Sequence, residues 1–139
     1  MPTLAPSDTA ARALFAREQA GPVVMVNLLR FREMADYSAA PDRAPPAPVS
    51  GAAAYARYVA ETLPLLEASG GAVIFEGRAE RWFIGPEEER WDHVLIVRQA
   101  SLSAFRAFAD APAAQAALVH RTAALADSRL LPAYPGPAA

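Results

Sequence analysis

Pro22-Val-Val-Met-Val-Asn-Leu-Leu-Arg-Phe31 is the stretch that decides the fold. Past the proline every residue is apolar except Asn27 and Arg30, which reads as a β-strand over 23–31. Val23, Met25, Asn27, Leu29 and Phe31 share one face, and Val24, Val26, Leu28 and Arg30 the other. Both faces are mostly apolar, so both are expected to be covered. Asn27 is the only asparagine in the chain. Burying its amide without partners costs about 1–3 kcal/mol. If it faces helices it is a pocket group; if it faces a second sheet it is an interface hydrogen bond.

Outward from this strand, Ser7 is placed to cap a helix over 8–19, which Gly21-Pro22 stops. The N-terminal helix therefore occupies about 7–20. Residues 32–50 carry Pro41, Pro45, Pro46 and Pro48 among small residues and read as a loop insert, either a lid or a loose connection. Ser50 caps a helix over 51–68, with Tyr55, Tyr58, Val59, Thr62 and Leu66 along one stripe. Pro64 is expected to kink this helix or split off its last turn, and Gly70-Gly71 to end it.

A strand over 72–84 comes next, with Gly77 inviting a bulge. The turn Gly85-Pro86 and the acids Glu87–Glu89 lead to a strand over 91–99. Ser101 starts a short helix with Leu102, Phe105 and Phe108 inward, and Ala111-Pro112 breaks it. A helix over 113–126, a strand over 129–134 and a frayed tail, 135–139, complete the chain.

The order is one helix and then β-α-β-β-α-α-β. This predicts one α+β domain over 1–139: a ferredoxin-like βαββαβ core over 22–134 with an extra N-terminal helix and a four-stranded antiparallel sheet. Helices cover one sheet face. The other is apolar and unpartnered within a single chain, which implies a homodimer.

Composition limits the chemistry. The net charge is -2, with no basic surplus for nucleic acid or an anionic membrane. No apolar run approaches the ~20 residues of a membrane span, and no secretory signal pattern opens the chain, so a cytoplasmic location is the default. There is no cysteine, and all 13 basic residues are arginine. Thiol chemistry, thiolate metal sites and lysine Schiff bases are thereby removed. His93 and His120 are the only histidines, too few for a multi-histidine metal site in one chain. No metal or cofactor is expected.

The remaining polar groups suggest a small-molecule pocket between sheet and helices, made from Asn27, Tyr55, Tyr58, Glu76, His93 and His120. Asn27 would hold or polarise a carbonyl oxygen. His93 or His120 would move a proton near neutral pH. Trp91 shares strand parity with His93. Arg30 and Arg32, two residues apart, would clamp a carboxylate. The plain alternative gives these groups structural roles: satisfied histidines, packed tyrosines and surface ion pairs. Gly70-Gly71 precedes a strand and does not join one to a helix, so a dinucleotide site is rejected.

Several motifs resemble a known family. They are Gly21-Pro-Val-Val-Met-Val-Asn-Leu-Leu-Arg-Phe31, Ser50-Gly-Ala-Ala-Ala-Tyr55 with Tyr58, Gly70-Gly71, Asp110-Ala-Pro112, Gln115, His120-Arg121 and Asp127-Ser-Arg-Leu-Leu131. Across residues 20–134 the chain is similar to the larger bacterial members of Domain of Unknown Function family 1330, in the dimeric α+β barrel superfamily. The resemblance implies two four-stranded sheets facing each other in a dimer, with helices outside. The wider superfamily includes cofactor-independent monooxygenases, isomerases, haem-degrading enzymes and noncatalytic binding modules. Many members of the family carry Arg where Glu76 stands and Gly-Gly in place of Gly77-Arg78, so an anion site of that kind would need Arg78 instead. A haem-degrading relative would pair His120 with Asn27 and Trp82 or Trp91. The leading expectation is a cofactor-independent isomerase or monooxygenase acting on a small carbonyl or aromatic metabolite. Its rival is a noncatalytic ligand-binding or oligomerisation module.

Overall fold

A computed structural model describes residues 2–136. Helix α1 (Asp8–Phe15) precedes strand β1 (Val23–Phe31). After a long connection with a single 3-10 turn (Pro41–Arg43) come helix α2 (Gly51–Ala68), strand β2 (Ala72–Arg78) and strand β3 (His93–Gln99). Helices α3 (Leu102–Asp110) and α4 (Pro112–Ala124) lead directly into strand β4 (Leu125–Ala133). Both predicted serine caps form: the hydroxyls of Ser7 and Ser50 accept from the amides of Ala10 and Ala53, each at 3.0 Å, and Ser101, where the third helix starts, accepts in the same way from Ala104 at 2.9 Å.

The four strands make one antiparallel sheet in the order β2-β3-β1-β4, the ferredoxin-like arrangement. β1 is central, so it must be apolar on both sides, which explains its sequence. Its odd residues Val23, Met25, Asn27 and Leu29 are buried beneath the helices; Val24, Val26 and Leu28 on the other face are half-buried. One core packs Leu29 and Leu95 against Ala54 and Tyr55 of α2 and against Ala123 and Ala124 of α4. A second joins Val23 and Met25 to Leu102, with Leu14 and Phe105 at its margin. Fully burying a side chain such as Leu29 or Met25 contributes about 1.5–3 kcal/mol.

Small residues let the backbones approach closely where β1 ends. Gly51 donates to the Arg32 carbonyl at 3.1 Å, and Arg32 donates to the Ala124 carbonyl at 2.8 Å. A Cβ on Gly51 would lie 2.6 Å from the Ala124 carbonyl oxygen and 2.8 Å from the Arg32 nitrogen. Glycine is required there by space.

Several boundaries differ from the sequence reading. α1 ends at Phe15, not Gln19, because Arg17 and Glu18 are exposed and no packing supports another turn. Pro64 neither splits α2 nor removes its last turn. It lies on the exposed side, as does Ala60, whose carbonyl loses the Pro64 donor but faces water. β2 stops at Arg78 because its partner β3 begins only at His93. Residues 79–92 leave the sheet, so Trp91 is a loop residue without strand parity. β4 begins at Leu125, not Arg129, since β1 is long enough to pair it from Phe31 back to Val24. The expected frayed tail falls on Pro135 and Gly136, with residues 137–139 outside the described ones.

Candidate functional site

Asn27 lies on the helix-facing side of β1. Its Nδ2 donates to the carbonyls of Met25 at 3.2 Å and Leu95 at 3.1 Å. Both amide hydrogens are therefore committed to the sheet's own backbone. This corrects the expectation that Asn27 donates to a substrate oxygen: only its Oδ1 is left to face a ligand, as an acceptor.

Register groups other candidates around Leu95. Asn27 and Glu76 each pair with Leu95, while His93 pairs with Leu29 on one side and Arg78 on the other. His93 is thus the diagonal neighbour of both Asn27 and Glu76 on the helix-facing side. Its Nε2 lies 3.5 Å from Glu76 Oε2, with the His93 side chain 19% exposed and that of Glu76 48%. The pair is reachable from solvent along edge strand β2.

An aromatic row borders the pair. The Phe31 ring is 5.6 Å from both the His93 ring and the Tyr55 ring, and Tyr55 is 5.4 Å from Tyr58. Burial pushes the Tyr55 hydroxyl far up, reinforced by the Tyr58 hydroxyl and opposed by the Arg121 guanidinium. Burial also raises Tyr58, again against Arg121. Both tyrosines are therefore neutral phenols, not phenolates, at neutral pH. Arg121 also donates to the Leu4 carbonyl and, at 3.3 Å, to Ser128 Oγ, fixing the N-terminal segment against β4.

His120 does not join this group. It is 1% exposed and turns toward the 32–50 segment. Tyr37 Oη lies 2.7 Å from its Nδ1 and Glu61 Oε2 lies 2.9 Å from its Nε2. Both ring nitrogens are engaged, so the imidazole has no lone pair free for haem iron, and it does not meet Asn27. Among the described residues, no cluster of three or more His, Asp or Glu could hold a metal ion.

Arg30 and Trp91 are on the opposite side of the sheet. Arg30 Nε donates to the Arg90 carbonyl at 2.9 Å. Its guanidinium carbon lies 5.2 Å from the Trp91 ring centre, and that of Arg129 lies 5.0 Å from the same ring. β1 ends at Phe31, and the exposed Arg32 beyond it donates its amide to the Ala124 carbonyl at 2.8 Å. Arg78 ends β2 beside His93 but is exposed. Phe31 and Arg121 fall within the family-like motifs without a role that spacing assigns, and no local pattern marks Tyr37 or Glu61.

The fold and this grouping define a ferredoxin-like α+β domain with a histidine–carboxylate pair at its sheet–helix boundary. The chain belongs to the family Domain of unknown function (DUF1330), which it matches over residues 47–133. It is similar along its whole length to RPA0582, a protein of unknown function from Rhodopseudomonas palustris. One crystal structure of that protein is 35% identical, with 99% of each chain covered and a TM-score of 0.85. A second, of the methylated protein, is 36% identical, with 99% of this chain and 97% of that one covered and a TM-score of 0.87. A dabb family protein with a ferredoxin-like fold from Mesorhizobium loti is 13% identical, covering 84% of this chain and 99% of that one with a TM-score of 0.52, a likeness of fold alone. No curated protein matches the chain. Among the described residues, no helix is long and apolar enough to cross a membrane.

Proposed function

We propose that the protein is a homodimer of the dimeric α+β barrel type that binds a small carbonyl or aromatic metabolite at His93 and Glu76, and that it catalyses cofactor-independent proton transfer there. The observation that carries this reading is the partly exposed His93–Glu76 pair at 3.5 Å, bordered by Phe31, Tyr55 and Tyr58. An imidazole titrates near neutral pH and serves as a general base. Glu76 orients it and stabilises the imidazolium formed when a carbon acid beside the carbonyl gives up its proton. The half-buried ring of Phe31, backed by the buried Tyr55, supplies an apolar wall for a planar ligand.

A histidine NMR titration against a panel of small aromatic and keto acids, ketones and phenols tests this. A binder is expected to shift the His93 ring signals, and His93→Gln or Glu76→Gln to weaken its binding while leaving the fold unchanged. Glu76 is half-exposed, so Glu76→Gln should alter stability by less than about 0.5 kcal/mol. If no compound perturbs His93 or the adjoining strands, the site reading fails. The noncatalytic reading then stands, favoured by the internal bonding of Asn27 and His120.

A further inference from the structure

The connection between β2 and β3 carries an apolar tip on a pinned base. Ala79 donates to the Asp92 carbonyl at 2.9 Å, Asp92 donates to the Leu29 carbonyl at 2.8 Å, and Asp92 Oδ2 accepts from the Phe31 amide at 2.8 Å. Trp91 is buried against the guanidinium groups of Arg30 and Arg129. Beyond this base, residues 80–89 bond only among themselves: Arg81 donates to Glu80 Oε1 at 3.1 Å and Glu89 to the Pro86 carbonyl at 3.2 Å. Trp82 folds back over Gly85, where a Cβ would lie 2.5 Å from the indole ring. Phe83 and Ile84 point outward, 99% and 86% exposed. Two large apolar side chains left side by side in water mark a contact surface.

The outer sheet face of the same chain complements this tip. Phe75 packs beside Gly77, where a Cβ would be 3.0 Å from its ring, and is 53% exposed. Ile96 pairs with Phe75 across the strands and is half-buried. Arg98, two residues on along β3, is exposed on the same face. Charge matches as well. The exposed Glu87 and Glu88 follow the apolar tip, and Arg98 follows the apolar patch. Among the described residues none of these three forms an ion pair.

We propose that residues 80–89 form an arm that seats on the outer sheet face of a second copy of this chain. Phe83 and Ile84 pack against the partner's Phe75 and the partner's Ile96, and Glu87 and Glu88 reach the partner's Arg98. Arm and patch belong to one sequence, so a two-fold axis satisfies both at once, each protomer giving an arm and receiving one. The axis lies across the strands and brings the hairpin end of one sheet to the Arg98 end of the other. The acids Glu87–Glu89 beside the tip repel an anionic membrane surface, the other common cover for exposed aromatic groups. The inference rests on the homodimer of the proposed function and adds what selects the partner. A bare apolar face accepts many surfaces, whereas the arm requires an apolar patch followed by a cation.

Two measurements test the arm. The chain has no cysteine, so Ile84→Cys protein mixed with Phe75→Cys protein, left to exchange subunits and then mildly oxidised, reports the contact directly. A disulfide-linked dimer is expected from the mixture and not from either variant alone; its absence from the mixture overturns the proposal. In sedimentation, Phe83→Ser/Ile84→Ser should raise the dimer dissociation constant about tenfold or more, with an unchanged far-ultraviolet spectrum. Arg98→Glu should raise it about threefold or more, and adding Glu87→Arg and Glu88→Arg to Arg98→Glu should bring it back toward wild type. A dissociation constant that none of these substitutions moves overturns the arm and leaves the homodimer standing. A wild type that is monomeric at micromolar concentration overturns both. Binding to phosphatidylglycerol vesicles that Phe83→Ser/Ile84→Ser abolishes, with no change in the dimer, assigns the tip to a membrane surface and overturns the arm.

Discussion

Asn27 shows how one side chain's worth depends on where its hydrogens go. The amide is buried on the helix-facing side and donates twice to sheet carbonyls. Aspartate has nearly the same shape but lacks both donors, and its charge would face two carbonyl oxygens. Asn27→Asp is expected to destabilise the fold by about 3 kcal/mol at neutral pH. The carboxyl would have to be protonated to donate, so its value in the folded state would be raised. The stability deficit should therefore shrink as pH falls toward 4 and grow as pH rises, read from urea midpoints at several pH values. An Asn27→Asp variant as stable as wild type at pH 8 would show that these bonds contribute nothing. The sequence marked Asn27 as a buried amide in need of partners, but its partners on the same and neighbouring strands could be found only from register.

Among the elements, the helices announced themselves most clearly. Ser7 and Ser50 cap where expected and the third helix starts at Ser101, because capping is a local bond between residues three apart. Strand ends were less legible. β2 reads on past Arg78 in sequence, but a strand lasts only as long as its partner, and β3 has none to offer before His93. α2 survives Pro64 because the orphaned carbonyl is on the wet side, which sequence spacing does not reveal. Gly51 is a further case: in sequence it looks like any helix N-terminal glycine, yet the carbonyls of Arg32 and Ala124 press on it. Gly51→Ala is expected to cost about 3 kcal/mol, because the clash is with backbone and cannot be relieved by a rotamer change. Thermal unfolding would measure it; a shift of the midpoint by only a degree or two would contradict the close approach.

At the level of the whole molecule, the outer sheet face is the unresolved surface. Val24, Val26, Leu28, Val94 and Ile96 are only half-buried, and Leu131 of edge strand β4 is 65% exposed. A patch of this kind is rarely left to water, and in the proposed homodimer a second copy would cover it without any new sequence. Sedimentation should find the wild type as a dimer at micromolar concentration. Leu131→Glu should give a folded monomer with an unchanged far-ultraviolet spectrum, since the side chain contributes little to the core of one chain. A monomeric wild type would remove the barrel from the proposed function.

By itself, the sequence determined the α+β class, the order of elements, the caps and the apolar character of both faces of β1, because these follow from local spacing and composition. It also removed thiol and lysine chemistry outright. Tertiary structure alone decided that His93 meets Glu76 and Phe31, and that His120 meets Tyr37 and Glu61. Those partners are 17, 62, 83 and 59 residues apart in the chain. Sheet register and helix packing bring them together, and neither leaves a mark in the spacing of the residues it joins.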